Sequence, residues 1–332
     1  MRRWSRVRAV AGVFDIPLTQ DFRGITRRRG LVWRGIAGWA EFSPFEDYSP
    51  AGCVPWWQAA NEAAAEGYPP PVREWVPVNG IVPAVSPEVA IRLVSQFRGC
   101  TTAKVKVAQP GQTLAEEVAR VAAVRGALGL GGKIRIDANG AWDVETAAAH
   151  IAALNRAAGG LEFAEQPCGT VAELAQLRRR TSVPIAADES VRRSSDPFRV
   201  EKAGAADLIV LKVQPLGGVR ACLALAERVS LPVVVSSAVE TSIGLAAGLA
   251  LAGALPQLDF ACGLGTLQLM SGDVTDDPLV PVDGFLRVRN VSADPALLAH
   301  WEAGPAVQQW WRRRIDQVRA LANSPGTPRA GL

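Results

Sequence analysis

The sequence predicts an α/β protein, a modified (β/α)8-type TIM barrel with an α+β capping domain. From about residue 77 onward, short apolar runs alternate with alanine-rich stretches, which is the pattern of buried parallel strands connected by helices. The length of 332 residues suits a barrel of about 250 residues with a smaller attachment. Polar residues end five of the runs at intervals of 28, 23, 24 and 24 residues, close to one β/α unit each time; they are Asp137, Glu165, Asp188, Lys212 and Ser236.

The first 75 residues lack this alternation and are predicted to form most of the capping domain. A helix is expected near Trp56–Glu66, and the prolines at Pro69–Pro71 mark the joint to the barrel. The candidate strands of this region are Ile16–Leu18, Leu31–Ile36 and Gly38–Phe42. The predicted domain ranges are 1–75 for the cap, 76–285 for the barrel and 286–332 for a C-terminal segment that packs back on the cap.

Eight apolar segments are candidate strands of the barrel, and the helices between them carry alanine, valine and leucine on one face. The candidate strands are Val76–Val82, Ala103–Val107, Ile134–Asp137, Leu161–Glu165, Ile185–Asp188, Leu208–Lys212, Val233–Ser236 and Asp259–Cys262. The candidate helices are Leu114–Leu128, Val144–Ala158, Val171–Arg180, Pro197–Ala203, Val219–Val229 and Ser242–Ala252. A further helix is predicted at Ala306–Leu321, and Asn323–Leu332 is expected to fray.

Charge and cysteine content argue against several classes of function. The 36 basic and 32 acidic residues leave a net charge of +4, and the arginine clusters carry no nucleic-acid recognition signature, so we interpret them as solvated surface. Five cysteines without a CxxC pair indicate neither a zinc site nor a disulfide scaffold. The longest apolar run, Ile243–Leu255, is too short to span a bilayer, and the N-terminus has no apolar stretch of signal-peptide length. We therefore expect a cytoplasmic protein that binds neither nucleic acid nor membrane.

Three consecutive candidate strands end in carboxylates, at Asp137, Glu165 and Asp188. Reactive groups of barrel enzymes lie at the carboxyl ends of the strands. One such residue alone can simply cap the next helix, but three anions brought to one point repel one another strongly unless a cation joins them. An all-oxygen ligand set favours Mg²⁺, with Mn²⁺ as a possible substitute.

Lysines end the strands on either side of the three carboxylates. The two histidines, His150 and His300, lie in helical stretches, so a base at the strand ends must be a lysine. Lys104 and Lys106 are two residues apart and share one face of their strand, and Arg135 faces the barrel interior by the same parity as Asp137. A strand-end lysine can also be only a solvated rim residue.

The Lys104–Lys106 pair, the three carboxylates and Lys212 resemble the enolase superfamily, muconate-lactonizing subgroup. Other segments are similar to the o-succinylbenzoate synthase family within it; they are RGITRRRGLVWRG, GWAEFSPFEDYS, VPVNGIVPA, SSAVETSIGLAAGLALA and CGLGT. This resemblance implies Mg²⁺-dependent dehydration of 2-succinyl-6-hydroxy-2,4-cyclohexadiene-1-carboxylate to 2-succinylbenzoate in menaquinone synthesis. It also implies a metal held by the three carboxylates.

The resemblance assigns roles to individual residues. It implies that Lys106 takes the proton and that Lys212 stabilises the resulting anion. It implies that a loop over Asp21–Arg29 closes over the ligand. Backbone amides near Ser236, Ser237 and Gly263 would bind the succinyl carboxylate. Further residues expected to contact the substrate, or to support those that do, are Lys104, Arg135 and Asn139.

Two alternatives remain open from the sequence. The same metal and lysines serve N-acylamino acid racemases, dipeptide epimerases and muconate cycloisomerases. A protein of another class, a non-catalytic barrel that binds anions, is disfavoured because all the matched site residues are present together. The expected partner is a small carboxylate substrate, and the expected assembly is a monomer or a weak homo-oligomer.

Overall fold

The N-terminal part of the chain is built on a three-stranded antiparallel sheet in the order β1-β2-β3. The computed structural model describes residues 10–22, 24–194 and 196–324. The three strands are β1 (Val10–Phe22), β2 (Ile25–Arg34) and β3 (Trp39–Phe42). A 3₁₀ turn then leads into α1 (Val54–Ala65), whose Trp57 stacks on Trp33 of β2 with 5.7 Å between the ring centres. The predicted cap elements therefore all have counterparts, and β1 and β2 are longer than predicted.

The arginine-rich segment predicted as a loop is the tip of the hairpin between β1 and β2, where Phe22 pairs with Ile25. The prediction of a loop over Asp21–Arg29 is wrong, because most of these residues belong to β1 and β2, and alternate residues of a strand face the interior. Arg28 is 3% exposed, and its guanidinium donates to the backbone oxygens of Ser43 and Val239 at 2.6 and 2.8 Å. The hairpin is therefore fixed to both the cap and the barrel.

The predicted strand Val76–Val82 is divided in two. β4 (Trp75–Pro77) pairs antiparallel with Phe285–Arg287 near the C-terminal end, whereas β5 (Gly80–Val82) joins the parallel sheet. A single continuous strand was the wrong prediction, because the two halves have different partners.

A parallel seven-stranded sheet forms the wall of the barrel, and its strands run in chain order from β5 to β11. Each of these strands is almost wholly buried, as its apolar sequence predicts. The strands after β5 are β6 (Thr102–Lys106), β7 (Lys133–Asp137), β8 (Phe163–Glu165), β9 (Ile185–Ala187), β10 (Leu208–Lys212) and β11 (Val233–Ser236).

The eighth predicted strand, Asp259–Cys262, is not a strand. Two isolated bridges replace it, from Cys262 to Val78 and from Gly263 to Ser236. Backbone hydrogen bonds of 2.7 Å to Pro77 and 2.8 Å to Val235 complete this closing seam. The prediction was wrong because the chain changes partner after one residue, so that no run of consecutive pairs can form. The modified barrel with an attached cap is otherwise confirmed.

Helices surround the sheet. Two of them, Leu114–Leu128 and Val144–Ala158, begin and end at the predicted residues. Three helices, at Pro87–Gln96, Glu189–Arg192 and Pro295–His300, were not predicted. The helices of the barrel are α2 (Pro87–Gln96), α3 (Leu114–Leu128), α4 (Val144–Ala158), α5 (Val171–Arg178), α6 (Glu189–Arg192), α7 (Arg199–Lys202), α8 (Val219–Arg228) and α9 (Ser242–Ala254). The C-terminal elements are a 3₁₀ helix at Gly265–Leu269, β12 (Phe285–Arg287), α10 (Pro295–His300) and α11 (Pro305–Ala322).

Glu41 of β3 joins the cap to the beginning of α9. Its Oε2 accepts hydrogen bonds from the Thr241 hydroxyl at 2.5 Å and the Gly244 amide at 3.0 Å, and its Oε1 accepts from the Ser43 hydroxyl at 2.6 Å. Burial is the main cause that raises the pKa of Glu41 to about 7. The cap therefore supplies a hydrogen-bond acceptor for a backbone amide in the first turn of α9, where amides have no acceptor within the helix.

The C-terminal helix α11 packs on α1, and its Trp311 is fully buried edge-on against Phe42 of β3, with 6.1 Å between the ring centres. Among the residues that the structure describes, no helix combines the length and the apolar character needed to cross a bilayer. Most of the segment predicted to fray, residues 325–332, lies outside the described residues.

Candidate active site

Lys106, Asp137 and Glu165 lie side by side at the ends of three neighbouring strands. The sheet register pairs Lys106 with Asp137 and Asp137 with Glu165, and Asp188 follows directly after β9. The three carboxylates are at most 2% exposed. The structure thus brings the predicted metal ligands to one mouth of the barrel, as the parallel sheet requires.

The chain turns sharply just after Lys106, Asp137 and Glu165. Ala108, Asn139 and Gln166 have positive φ angles of 60°, 48° and 40°, which are uncommon for residues other than glycine. Such a conformation costs on the order of 1 kcal/mol or more and persists only where its surroundings enforce it. The strand ends are therefore held in one conformation, with their polar side chains at the mouth.

Each carboxylate accepts hydrogen bonds from a lysine. Lys104 Nζ lies 3.1 Å from Asp137 Oδ2 and 2.9 Å from Glu165 Oε1. Lys106 Nζ lies 2.6 Å from Asp137 Oδ2, and Lys212 Nζ lies 2.6 Å from Asp188 Oδ2. Buried charges are tolerated only when paired in this way, so the lysines and carboxylates form one ionic network.

The network shifts the pKa values of its members in different directions. Burial, followed by the negative charges of Asp137 and Asp188, raises the pKa of Glu165 to about 7. Burial alone would also raise the pKa of Asp137, but the charges of Lys106 and Lys104 outweigh it and hold that pKa well below its usual value. Glu165 is therefore the carboxylate for which the mouth supplies too little positive charge.

The oxygen donors of this mouth fit a hard divalent cation. The ammonium of Lys104 already bridges Asp137 and Glu165, so these two carboxylates share a position that attracts positive charge. Within the ranges that the structure describes, no three histidine, cysteine or acidic side chains are yet close enough to form a metal site. Asp188 is directed instead to Lys212 and Arg192. A divalent ion would thus replace ammonium groups as the partner of the carboxylates.

Lys106 lies between a polar and an apolar neighbour. Asn139 Oδ1 accepts from its Nζ at 2.6 Å, and the Phe22 ring at the tip of the hairpin lies 5.1 Å from the same atom. Asn139 also donates to Glu189 at 3.2 Å. A cavity of about 340 Å³ opens beside Lys106, lined by the hairpin tip and by the turns after β5, β6 and β7. The structure therefore brings Asn139 together with Lys106 at the mouth of the barrel.

Arg135 lies away from the carboxylates, although its side chain fills the barrel interior. Its guanidinium contacts Glu162 at 2.5 Å, Asn79 at 3.1 Å and the Ala261 carbonyl at 2.7 Å. Glu162 and Asn79 precede β8 and β5, so these partners lie at the amino-terminal end of the barrel. The prediction that Arg135 faces the barrel interior was correct. The alternation of side chains along a strand does not, however, tell which end of the barrel a long side chain reaches.

Ser236, Ser237 and Gly263 meet at the closing seam. The Ser237 hydroxyl donates to the Gly263 carbonyl at 2.9 Å and lies 2.8 Å from the Thr266 hydroxyl. A Cβ atom at Gly263 would lie 2.5 Å from Ser236 Oγ, so a larger residue there would require the Ser236 side chain to move. The Gly263 amide donates to the Val235 carbonyl at 2.8 Å. That amide is thus engaged in the sheet rather than open to a substrate carboxylate.

Three residues of the site were missed in the sequence. The Gln166 side chain accepts from the amides of Asp188 and Ser190 at 3.0 and 3.1 Å, and so joins the end of β8 to the end of β9. Arg192 bonds Asp188, and Tyr48 reaches Arg192 from the cap. The i, i+4 spacing of Asp188 and Arg192 was a readable signal, whereas nothing in the local sequence distinguishes Tyr48.

The sequence matches two enolase families along most of its length. Residues 13–64 match the enolase N-terminal domain-like family, and residues 89–293 match the enolase C-terminal domain-like family. The chain is 61% identical to o-succinylbenzoate synthase of Thermobifida fusca (strain YX) over 307 residues, which cover 92% of this chain and 95% of that protein. It is 51% identical to o-succinylbenzoate synthase of Mycobacterium tuberculosis (strain ATCC 25618 / H37Rv) over 308 residues, 93% of this chain and 92% of that protein.

Solved structures with the same architecture include two other enzymes. Muconate cycloisomerase from Pseudomonas fluorescens aligns with a TM-score of 0.74 and 23% identity, covering 88% of this chain and 97% of its own. The L-Ala-D/L-Glu epimerase from Bacillus subtilis aligns with a TM-score of 0.72 and 22% identity, covering 85% of this chain and 95% of its own. At such identities the likeness shows the fold alone.

Proposed function

This chain belongs to the o-succinylbenzoate synthase family of the enolase superfamily, and from this premise we propose that it is a metal-dependent lyase. Its substrate is 2-succinyl-6-hydroxy-2,4-cyclohexadiene-1-carboxylate, its products are 2-succinylbenzoate and water, and its place is in cytoplasmic menaquinone synthesis. The observation that supports this most directly is that Lys106 and Lys212 end the strands on either side of the three carboxylate strands.

Asp137, Glu165 and Asp188 would hold Mg²⁺, or Mn²⁺ in its place, through carboxylate oxygens. When bound, the ion supplies positive charge that stabilises the anion formed by removal of a proton beside the substrate carboxylate. The low exposure of these side chains excludes bulk water, which makes each charge in the site more effective.

Lys106 is the proposed base. Its neutral amine would take the proton from the ring carbon that carries the carboxylate, and the resulting ammonium would return this proton to the hydroxyl group that leaves the neighbouring carbon. One C–H and one C–O bond break, water leaves and the ring becomes aromatic, so the reaction needs no oxidant. Asp137 and Asn139, each 2.6 Å from Lys106 Nζ, would orient the ammonium between the two steps.

Lys212 is proposed to stabilise the anion without exchanging a proton. It lies on the opposite side of the carboxylates from Lys106, and Asp188 fixes its ammonium. Such a fixed charge stabilises an anion more effectively than mobile solvent does, because it needs no reorganisation during the reaction.

The experiment that tests this function is an assay of the cyclohexadiene substrate with metal-free enzyme, before and after addition of MgCl₂. We expect an aromatic product, seen by NMR, only in the presence of Mg²⁺. Lys106→Ala is the control, and it should remain folded without forming product. Absence of the aromatic product from the Mg²⁺-loaded enzyme would overturn the proposal.

Racemisation is the second candidate, since lysines on both sides of the carboxylates suit proton removal from either face of a carbon. Incubation of N-succinylamino acids in D₂O tests it, because a racemase or epimerase exchanges the α-proton for deuterium. We expect dehydration to be faster than this exchange. The reverse order would assign the site to racemisation.

A further inference from the structure

Arg192 on α6 is a buried partner of the third carboxylate. Its side chain is 2% exposed, and its Nε donates to Asp188 Oδ1 at 2.9 Å. Lys212 holds the other oxygen, Oδ2, at 2.6 Å. The two oxygens of Asp188 are therefore held by two different cations, one from α6 and one from β10.

The two cations are held with different rigidity. The guanidinium of Arg192 is fixed at three points, because it also contacts Glu189 at 2.5 Å and the phenol oxygen of Tyr48. The ammonium of Lys212 is held by its hydrogen bond to Asp188. The planar guanidinium, which is anchored by more contacts, therefore fixes the orientation of Asp188 more firmly than the ammonium does.

Tyr48 belongs to the cap, and several groups fix its position. Its ring lies 4.8 Å from the Arg193 guanidinium and packs edge-on against Trp56 at 5.7 Å, and its backbone oxygen accepts from Arg314 of α11. Its hydroxyl is thus a fixed point of the cap that touches the barrel through Arg192.

We propose that Arg192 is a positioning residue that holds Asp188 Oδ1 and makes metal affinity depend on the contact of Tyr48 with the barrel. This inference rests on the proposed function in one respect, that Asp188 is a metal ligand. The chain of contacts runs from the Tyr48 hydroxyl through the guanidinium to the carboxylate, so displacement of the cap releases one oxygen of Asp188.

Arg192→Lys tests this role, because it retains the positive charge. Removal of the charge would also remove electrostatic repulsion of the metal and so mix two opposing effects. A lysine cannot bond Asp188, Glu189 and Tyr48 together. Partners that orient metal ligands typically contribute about 10- to 100-fold to metal affinity, so we expect Mn²⁺ to bind at least about tenfold more weakly.

The measurement is a titration of the metal-free full-length protein with MnCl₂, in which the electron paramagnetic resonance signal of free Mn²⁺ gives the dissociation constant. Circular dichroism checks that each variant is folded. Arg178→Lys is the matched control, since Arg178 Nε also donates to an aspartate, Asp207, at 2.8 Å, but contacts neither Tyr48 nor Asp188 in the part of the chain that the structure describes. We expect its Mn²⁺ affinity to remain at the wild-type value.

Tyr48→Phe tests the link to the cap while keeping the ring in place. Loss of one hydrogen bond to a guanidinium should weaken Mn²⁺ binding by about fivefold. In the Arg192→Lys background the same substitution should have no further effect, because two residues that act through one contact are not additive.

The outcomes separate this inference from the proposed function. If the wild-type protein binds no Mn²⁺, both are overturned. If the wild type binds Mn²⁺ and folded Arg192→Lys binds it equally well, only the role of Arg192 is overturned. If Tyr48→Phe weakens binding equally in both backgrounds, Tyr48 does not act through Arg192 and the proposed link fails.

Discussion

The ammonium of Lys104 faces both carboxylate oxygens of Glu165, at 2.9 Å from Oε1 and 3.1 Å from Oε2. A second carboxylate, Asp137, lies 3.1 Å from the same nitrogen. Two buried anions thus share one lysine, and a divalent ion bound by the same two carboxylates would take over the role of Lys104.

The first prediction concerns Lys104→Met. Without the ammonium, ionised Glu165 loses its main partner, and loss of one member of a buried ion pair costs about 3 kcal/mol or more. We expect the metal-free variant to unfold at a lower temperature than the wild type at about pH 8, and Mg²⁺ to raise the variant's Tm by more than it raises the wild-type Tm. Thermal unfolding in EDTA and in MgCl₂ measures both quantities.

The matched control for this prediction is Lys133→Met. Lys133 also pairs with a glutamate, Glu162 at 2.9 Å, but its side chain is 59% exposed, so its loss should be small. Equal Mg²⁺ shifts in the wild type and in Lys104→Met would show that Lys104 does not stand in for a cation.

The second prediction concerns metal removal. EDTA should abolish turnover, and Mg²⁺ or Mn²⁺ should restore it, because the bound ion would supply positive charge that stabilises the anion formed beside the substrate carboxylate. A steady-state assay before and after dialysis against EDTA checks this. Full activity in the metal-free protein would contradict the assignment of Asp137, Glu165 and Asp188.

The third prediction separates the two lysines. Lys106→Arg should lose about 10²- to 10⁴-fold in kcat, since a guanidinium rarely acts as a base. Lys212→Arg should retain measurable dehydration, because the positive charge remains. Steady-state kinetics on variants that still bind Mn²⁺ make the comparison. Greater loss from Lys212→Arg would reverse the two roles.

The fourth prediction follows from Glu41, whose pKa is raised from 4.5 to about 7 in the folded protein. The folded state binds this proton more tightly than the unfolded chain does. The resulting stability is therefore complete below about pH 4.5 and is lost as the pH rises through about 7. Between about pH 5 and pH 8 the wild type should lose on the order of 3 kcal/mol of unfolding free energy relative to Glu41→Gln.

Urea unfolding of both proteins across this pH range measures the difference. The other titrating groups are common to the two proteins, so the difference isolates Glu41. Parallel pH profiles for the wild type and Glu41→Gln would show that Glu41 is ionised in the fold throughout the range.

The fifth prediction concerns the hairpin. Arg28→Ala removes the donor to the backbone oxygens of Ser43 and Val239 and leaves both acceptors buried, which costs about 1 to 3 kcal/mol for each acceptor. We expect a clear decrease in Tm. Arg27→Ala is the control, because this arginine is 41% exposed and pairs with Asp15 at the surface. Equal stability of the two variants would restore the interpretation of this segment as a loop.

The sequence predicted the barrel and its charged mouth because strand-end positions recur with the β/α unit, and parallel strands bring their ends together. It predicted Lys106, Asp137 and Glu165 as neighbours for that reason alone. It missed Tyr48 because its contact with Arg192 joins residues 144 positions apart, which no local periodicity records. The alternation of side chains along β7 predicted that Arg135 faces the barrel interior. It did not predict that this side chain turns to the end of the barrel opposite the carboxylates.

At the seam formed by Cys262 and Gly263, the barrel wall is held by fewer backbone pairs than elsewhere. Neighbouring strands of the wall share between two residue pairs, as for β8 and β9, and five, as for β6 and β7, whereas the seam has one bridge on each side. Cooperative units open where few hydrogen bonds must break together. We therefore expect the cylinder to open more readily at this seam, where Gly263 lies against Ser236, than between β6 and β7.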